Sequence, residues 1–199
     1  WATGQSNDGE GQETIPKRSK KELPEVDIME DPGIWVCLDE GCNSNCHGDE
    51  WAENAEAKLK KMPIAEKALE WIHRRSRQFN GIGTGKVTTY GKRKIPAAWM
   101  LQKSRKILPG FLESHEQKGG HPLLLSDDSQ AKMGFVKDMR EGVCYLKDYD
   151  DYLEIHRAKG SGLKVVCISH FPRGRVTPEM FVGADPEKIR QAEELRGSK

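Results

Sequence analysis

The stretch Ile34-Trp35-Val36-Cys37-Leu38-Asp39-Glu40-Gly41-Cys42 decides the fold class of this chain. Its apolar run predicts a buried β-strand over Ile34–Asp39, and Gly41 predicts a tight turn directly after the strand. The strand therefore delivers one carboxylate, that of Asp39, into the turn. Because a buried carboxylate must be paired, hydrogen-bonded or neutralised, Asp39 is part of a site, the remains of one, or an ordinary buried Asp that caps the Asn43-Ser44 turn.

Size and composition bound what the rest of the chain can be. The 199 residues include 32 Lys and Arg against 31 Asp and Glu, and this near balance argues against a nucleic-acid-binding protein. No run of about 18 apolar residues occurs, so we expect a soluble chain without a transmembrane segment. Five cysteines, an odd number, favour a reducing compartment over a disulfide scaffold. The compartment itself is unknown, and the start at Trp1 suggests a processed or truncated precursor.

The chain divides by composition into three parts. Residues 1–31 form a polar N-terminal extension, residues 32–171 form a β-rich domain, and residues 172–199 form a C-terminal extension. A short helix is predicted in the last part, over Asp185–Gly197. The predicted strands are Ile34–Asp39, Gly85–Tyr90, Lys94–Leu101, Ile107–His115, Pro122–Leu125, Phe135–Met139, Val143–Leu146, Tyr152–His156 and Leu163–His170.

Helical patterns interrupt the strands in the first half of the domain. Asp49 is a good N-cap for a helix that reaches about Met62, with an apolar stripe of residues three or four apart. Pro63 ends or kinks this helix, and Ile64–Trp71 is predicted to add another helical turn or two. Gly91 is predicted to lie in a turn between two strands.

Three segments, in order along the chain, resemble the retropepsins, the retroviral and retrotransposon aspartic proteases. Leu38–Cys42 resembles their apolar-Asp-Thr/Ser-Gly-Ala/Cys motif, and Phe79–Val87 resembles their glycine-rich flap hairpin. Pro122–Met139 resembles the closing part of their fold, where an apolar strand, a short helix, a Leu/Ile-Gly pair and a final strand follow each other. Met133-Gly134 stands at the position of that pair.

This resemblance implies a mainly β fold, a closed acid-protease barrel, here with an inserted helix and a C-terminal helical extension. It further implies a homodimer in which Asp39 and Gly41 of each copy form the catalytic turns, and Gly81, Ile82 and Gly83 cover a bound peptide. Two carboxylates about 3 Å apart share one proton and activate a water, so neither a cofactor nor a metal is required.

The sequence departs from the family at two positions that matter for catalysis. Glu40 stands where the family has Thr or Ser, whose hydroxyl makes a hydrogen bond across the dimer axis, and an ionised Glu cannot donate that bond. Ser126 stands where the family usually has Gly. We therefore expect a non-catalytic interaction or structural subunit that docks in a larger assembly through its extensions. The alternative is a homodimeric aspartic endopeptidase that uses Asp39 of each copy.

Two other patterns invite different interpretations. Cys37, Cys42, Cys46 and His47 could suggest zinc, but their spacing lacks the paired two-residue gaps of a zinc knuckle, which favours buried or free thiols. The glycine-rich segment 81–85 could suggest a phosphate-binding loop, but it lacks the Lys-Ser/Thr that such a loop requires.

Overall fold

The computed structural model describes residues 22–65, 67–80 and 86–171, and it confirms the mainly β class. The predicted C-terminal helix lies outside the described residues. No helix in the described ranges has the length and apolar character needed to span a bilayer. The elements are β1 Glu25–Val26, β2 Trp35–Leu38, β3 Cys46–Gly48, α1 Asp49–Leu59, β4 Glu70–His73, β5 Gln78–Asn80, β6 Lys86–Met100, β7 Ile107–Gln117, β8 Leu123–Leu125, α2 Asp127–Lys132, β9 Phe135–Asp138, β10 Val143–Leu146, a 3₁₀ helix Lys147–Tyr149, β11 Asp151–Glu154, β12 His156–Ala158 and β13 Lys164–Cys167.

The described strands form two sheets. The larger has ten strands in the order β1-β12-β13-β2-β8-β3-β7-β6-β4, with β5 paired to β6, and the smaller has the order β11-β10-β9. Strand β8 lies between β2 and β3, parallel to the first and antiparallel to the second. Within the described ranges the strand pairing does not close into a barrel. The segment after β13 nevertheless bonds to two separate parts of the large sheet. The Ile168 N–H donates to the Ile34 carbonyl, directly before β2, and the Ile168 carbonyl accepts from the Ala98 N–H of β6.

Strand β2 is buried on both of its faces. Val36 and Leu38 point into the main core, whereas Trp35 and Cys37 point into a second cluster with Val26 and neighbouring apolar residues. The strand is also hydrogen-bonded along both edges, to β13 on one side and β8 on the other. This double burial explains why its sequence is a continuous apolar run rather than an alternating one.

Helix α1 is the inserted helix that the sequence predicts. Trp51 and Leu59 of its apolar stripe are buried, and the Trp51 indole N–H donates to the Trp35 carbonyl at 3.1 Å. The helix begins one residue earlier than predicted, with Gly48 instead of Asp49 as its N-cap, and it ends at Leu59 rather than near Met62. Asp49 instead accepts a hydrogen bond from the Gly119 N–H at 2.8 Å, which ties the helix start to the turn after β7.

Two local predictions are wrong. The segment predicted as helix over Ile64–Trp71 ends in strand β4, because the backbone there pairs with β6 and Trp71 packs under the guanidinium of Arg93. The predicted turn at Gly91 is a register irregularity within the continuous strand β6. A Cβ at Gly91 would lie 2.2 Å from the His73 carbonyl oxygen, so this glycine permits close backbone approach and does not end the strand.

The end of the N-terminal extension packs on the domain. Strand β1 pairs in parallel with β12, and its Val26 is buried. The ammonium of Lys58, on α1, donates to the carbonyls of Ile28 and Gly33 at 2.8 and 3.0 Å. Residues 22–31 are therefore part of the packed structure.

Asp151 connects the small sheet to the β6–β7 hairpin. Its carboxylate accepts backbone N–H bonds from Lys103 and Ser104 at 2.9 Å each, and from Tyr152 at 2.7 Å. Burial by itself would raise the pKa of Asp151, but these donors outweigh burial and lower the pKa to about 2. The ionised carboxylate therefore stabilises the fold above the pH at which an unfolded Asp titrates, and this contribution is lost as the pH falls towards 2.

We expect Asp151→Asn to reduce the free energy of unfolding at pH 7 by about 1–3 kcal/mol, because an amide NH₂ then faces backbone N–H donors. Urea denaturation should show this difference shrinking as the pH is lowered from 4 to 2. The exposed neighbour Asp150 provides a matched control, and Asp150→Asn should change stability by less than about 0.5 kcal/mol. Equal effects of the two substitutions would contradict the assignment.

Candidate functional site at the Asp39 turn

Asp39 follows directly on the last residue of β2 and is half-buried. Its N–H donates to the Leu125 carbonyl at 3.2 Å, which extends the β2–β8 pairing by one more bond. Its Oδ1 accepts a hydrogen bond from the Gly41 N–H at 2.8 Å. A Cβ at Gly41 would lie 3.2 Å from this oxygen, so glycine keeps the turn close to the carboxylate. The strand is buried as predicted, but the carboxylate is partly open to solvent.

Glu40 is exposed and forms an ion pair with Lys137 of β9. The Lys137 ammonium also donates to the Gln130 Oε1 at 2.8 Å, and the Gln130 amide donates to the Leu125 carbonyl at 2.7 Å. Burial lowers the pKa of Lys137, while the charge of Asp39 is among the influences that raise it. The turn therefore carries two carboxylates next to one ammonium group.

The buried side chain of Asn45 forms hydrogen bonds that join the loop after the turn to the neighbouring strands. Its Oδ1 accepts from the Ser126 N–H at 2.8 Å, and its Nδ2 donates to the Glu113 carbonyl at 2.9 Å. Its backbone carbonyl accepts from the His115 N–H at 2.9 Å. One residue thus joins the loop after Asp39 to the end of β8 and to β7.

Ser126 is buried and serves as the N-cap of α2. Its φ of −65° is accessible to any residue, so the backbone here does not require the glycine that the retropepsin pattern has. The hydroxyl accepts from the Ser129 N–H, and the Asp127 N–H donates to the Cys42 carbonyl at 3.2 Å. The serine is accommodated without strain and fixes the start of α2 against the turn.

The cysteines near the turn lie in different surroundings. Cys37 is buried in the second apolar cluster, and burial, with the nearby Asp39 charge, raises its pKa to about 11. Cys42 and Cys46 are both half-buried, with their sulfurs 3.7 Å apart. The sequence-based zinc set does not assemble, because among the described residues no group of three or more His, Cys, Asp or Glu could hold a metal ion.

His47, the fourth member of that set, belongs to a buried polar network that sequence reasoning missed. Its Nδ1 lies 2.8 Å from the Ser114 hydroxyl and its Nε2 lies 3.4 Å from Glu116, which also pairs with Arg93 at 2.6 Å. Burial lowers the pKa of His47. A serine, a histidine and an acid in contact with one another are the groups that nucleophilic catalysis uses. These three side chains are enclosed in the core, where a substrate cannot reach them. The signal in the sequence is the polar end of β7, Glu113-Ser114-His115-Glu116-Gln117, after an apolar first part of the strand.

The predicted substrate-binding residues Gly81, Ile82 and Gly83 lie outside the described residues. The strands that flank them are described: Asn80 pairs with Lys86, and β5 runs antiparallel to the start of β6. Residues 81–85 therefore connect the two arms of a β-hairpin.

A cavity of about 460 Å³, lined by both polar and apolar side chains, lies beside the loop that follows the turn. Its wall includes the loop between the two cysteines, the end of β8 and the first turns of α2. The polar residues that line it include Asn43, Asn45, His115, Ser126, Asp128 and Lys132.

Comparison of the chain with protein-family models, with curated proteins and with solved structures finds no match.

We expect Asn45→Ala to lower the free energy of unfolding by about 1–3 kcal/mol, because the buried Ser126 N–H and the Glu113 carbonyl lose their partner. Chemical denaturation monitored by tryptophan fluorescence provides the measurement. The exposed Asn43, two residues earlier, is the matched control, and its replacement by Ala should cost less than about 0.5 kcal/mol. If Asn45→Ala is as stable as Asn43→Ala, Asn45 does not hold the turn.

Proposed function

We propose that this chain is a non-catalytic interaction or structural subunit built on a retropepsin-like aspartic protease domain. It docks within a larger assembly through the extensions 1–31 and 172–199. The observation that carries the proposal is Glu40, which follows Asp39 where the family has a hydroxyl residue and which forms an ion pair with Lys137.

Three features support the retropepsin-like domain. The buried strand β2 ends in Asp39, and its turn is closed by the Gly41 N–H. The apolar strand β8, helix α2, the pair Met133-Gly134 and strand β9 then follow in the order that the family resemblance implies. Strands β5 and β6, which precede and follow residues 81–85 in the chain, pair antiparallel, and residues 81–85 belong to the segment that resembles the flap.

The backbone bonds of residues 168–170 support the closed barrel that this domain implies. Ile168 bonds to Ile34, directly before β2, and both Ile168 and His170 bond to Ala98 of β6. These bonds join the strand that carries the Asp39 turn to a strand four places away in the sheet order. In a closed barrel such bonds would remove the free edges of the sheet.

The charges around Asp39 favour the loss of catalysis. A catalytic pair of carboxylates must hold one shared proton, and a nearby ammonium opposes this because it stabilises the ionised form of each carboxylate. Lys137 brings such an ammonium to the turn. Glu40, when ionised, has no proton to donate across a dimer axis. The turn then remains as a structural element that binds α2 and β8.

The second candidate is a homodimeric aspartic endopeptidase with an Asp39/Asp39 pair and an activated water. The geometry of Asp39 favours it, because the carboxylate is held by its own turn and remains partly open to solvent. A two-fold axis at this turn would bring the same residue of a second copy opposite it, since a symmetric interface pairs identical surfaces. A bound peptide would then lie under residues 81–85.

A protease assay separates the two candidates. The purified chain should not cleave unfolded protein or a mixed peptide library between pH 3 and 7. Glu40→Thr, which restores the hydroxyl, should show measurable cleavage if Glu40 causes the loss, and adding Asp39→Asn to that variant should abolish it. Cleavage by the unmodified chain that a statine-type inhibitor blocks, and that Asp39→Asn removes, would establish the endopeptidase and refute the proposal.

The role of the extensions is tested by deletion. Removing residues 1–21 and 172–199 leaves β1 and the described domain in place, so the shortened chain should keep its circular dichroism spectrum. We expect native mass spectrometry of the tagged full chain, purified from cells, to show stoichiometric complexes that the shortened chain does not form. Complexes of the same mass with both chains would contradict docking through the extensions.

A further inference from the structure

We propose that Cys42 and Cys46 form a reversible oxidation site, at which a hydroperoxide converts the two thiols to a disulfide. The proposal concerns the loop directly after Asp39 and does not depend on whether the domain is catalytic. It rests on the positions of the two sulfurs, their exposure and the hydrogen bonds around them.

The geometry brings these two sulfurs together within one short loop. Their separation is 3.7 Å, which is van der Waals contact, and a disulfide requires about 2 Å. Cys42 lies at the end of the Asp39 turn, whereas Cys46 is the first residue of β3. Closing the remaining distance needs a small movement of the Cys42 side of the loop, because Cys46 is held in the sheet by pairing with His115 and Leu124.

The surroundings divide the chemical roles between the two thiols. Cys42 is half-buried, its thiol donates to the Ser44 carbonyl at 2.7 Å, and its hydrogen bond with the Cys46 sulfur lowers its pKa to about 7. Because the thiolate is the reactive form, a lowered pKa makes Cys42 the more reactive of the two thiols at neutral pH. The same hydrogen bond raises the pKa of Cys46, so this sulfur keeps its proton while Cys42 is ionised. Cys42 is the attacking thiol, and Cys46 is the resolving thiol.

The reaction is balanced with one hydroperoxide. The Cys42 thiolate attacks the peroxide, an S–O bond forms, the O–O bond breaks, and the leaving alkoxide takes a proton to become an alcohol. The Cys46 sulfur then attacks the Cys42 sulfenic acid, forming the S–S bond, while the S–O bond breaks and the hydroxide leaves with the Cys46 proton as water. The dithiol loses two electrons and the peroxide gains them. A dithiol reductant reverses the step by thiol–disulfide exchange.

The other three cysteines provide internal controls because their thiols are not activated. Burial raises the pKa of Cys37 to about 11 and that of Cys144 to about 12, and it also raises the pKa of Cys167. These thiols are protonated at neutral pH and react slowly. The reaction rate of Cys42 can therefore be compared with the rates of the other three cysteines in the same protein.

The consequence of oxidation is a covalent link between the Asp39 turn and strand β3. The loop 43–45 between the two cysteines contains Asn45, which already joins the turn to β7 and to the end of β8. A disulfide would fix this loop at both ends. It would thereby restrict the movement of the turn and of the cavity wall that the loop forms.

The test uses the full chain under native conditions with hydrogen peroxide as the probe. We expect oxidation to lower the mass of the chain by about two units and a dithiol to restore it. Fragmentation in the mass spectrometer should give no ions from backbone cleavage between residues 42 and 46 until the protein is reduced. Before oxidation, Cys42 should react with iodoacetamide at pH 7 about tenfold faster than Cys37, Cys144 or Cys167. In Cys46→Ser, a sulfenic acid trap should label Cys42. Cys167→Ser is the control and should oxidise as the unmodified chain does.

Three results would overturn the proposal. One is over-oxidation of Cys42 to sulfinic acid without any disulfide, and another is a disulfide that involves Cys37. The third is alkylation of Cys42 no faster than that of the other cysteines. This last measurement needs no variant, so it decides the question even if Cys46→Ser fails to fold.

Discussion

The structure depends on strand β2 being enclosed on every side. Val36 and Leu38 pack into the main core, and Trp35 and Cys37 pack into a second cluster behind it. Strands β13 and β8 occupy both hydrogen-bonding edges. Each fully buried aliphatic side chain contributes about 1.5–3 kcal/mol, and a shift of one residue would exchange the two faces. The register is therefore fixed, and with it the position of Asp39.

Hydrogen bonds of polar groups fix the position of the turn that follows strand β2. Strand β2 ends at Leu38, so the backbone groups of the turn need other partners. The Asp39 carboxylate accepts from the Gly41 N–H, and the Cys42 carbonyl accepts from the Asp127 N–H. Asn45 and Gln130 bond the neighbouring end of β8, at the Ser126 N–H and the Leu125 carbonyl. Groups from three separate parts of the chain therefore position the turn, whether or not it performs chemistry. Positioning of this kind suits a catalytic acid and serves equally well in a structural domain.

The charges near the turn bear on its function more than its shape does. Glu40 adds a carboxylate next to Asp39, and Lys137 compensates for it. A protease pair, in contrast, needs one of its two acids to keep a proton. The neighbouring sulfurs add a different chemistry to the same loop, since Cys42 and Cys46 are in contact and Cys42 is activated by that contact. The proposed oxidation of this loop is therefore independent of whether the loop supports hydrolysis.

The sequence by itself determined the features that depend on local patterns. The apolar run before Asp39 predicted a buried strand, and the stripe through Trp51 and Leu59 predicted helix α1, because burial imposes these patterns directly. Tertiary structure decided what local patterns cannot encode. Trp71 lies in a strand because β6 offers a pairing edge, and Gly91 continues a strand because the His73 backbone approaches it. Asn45, Gln130 and Lys137 hold the turn from 6, 91 and 98 residues away from Asp39, and only the folded chain brings them there.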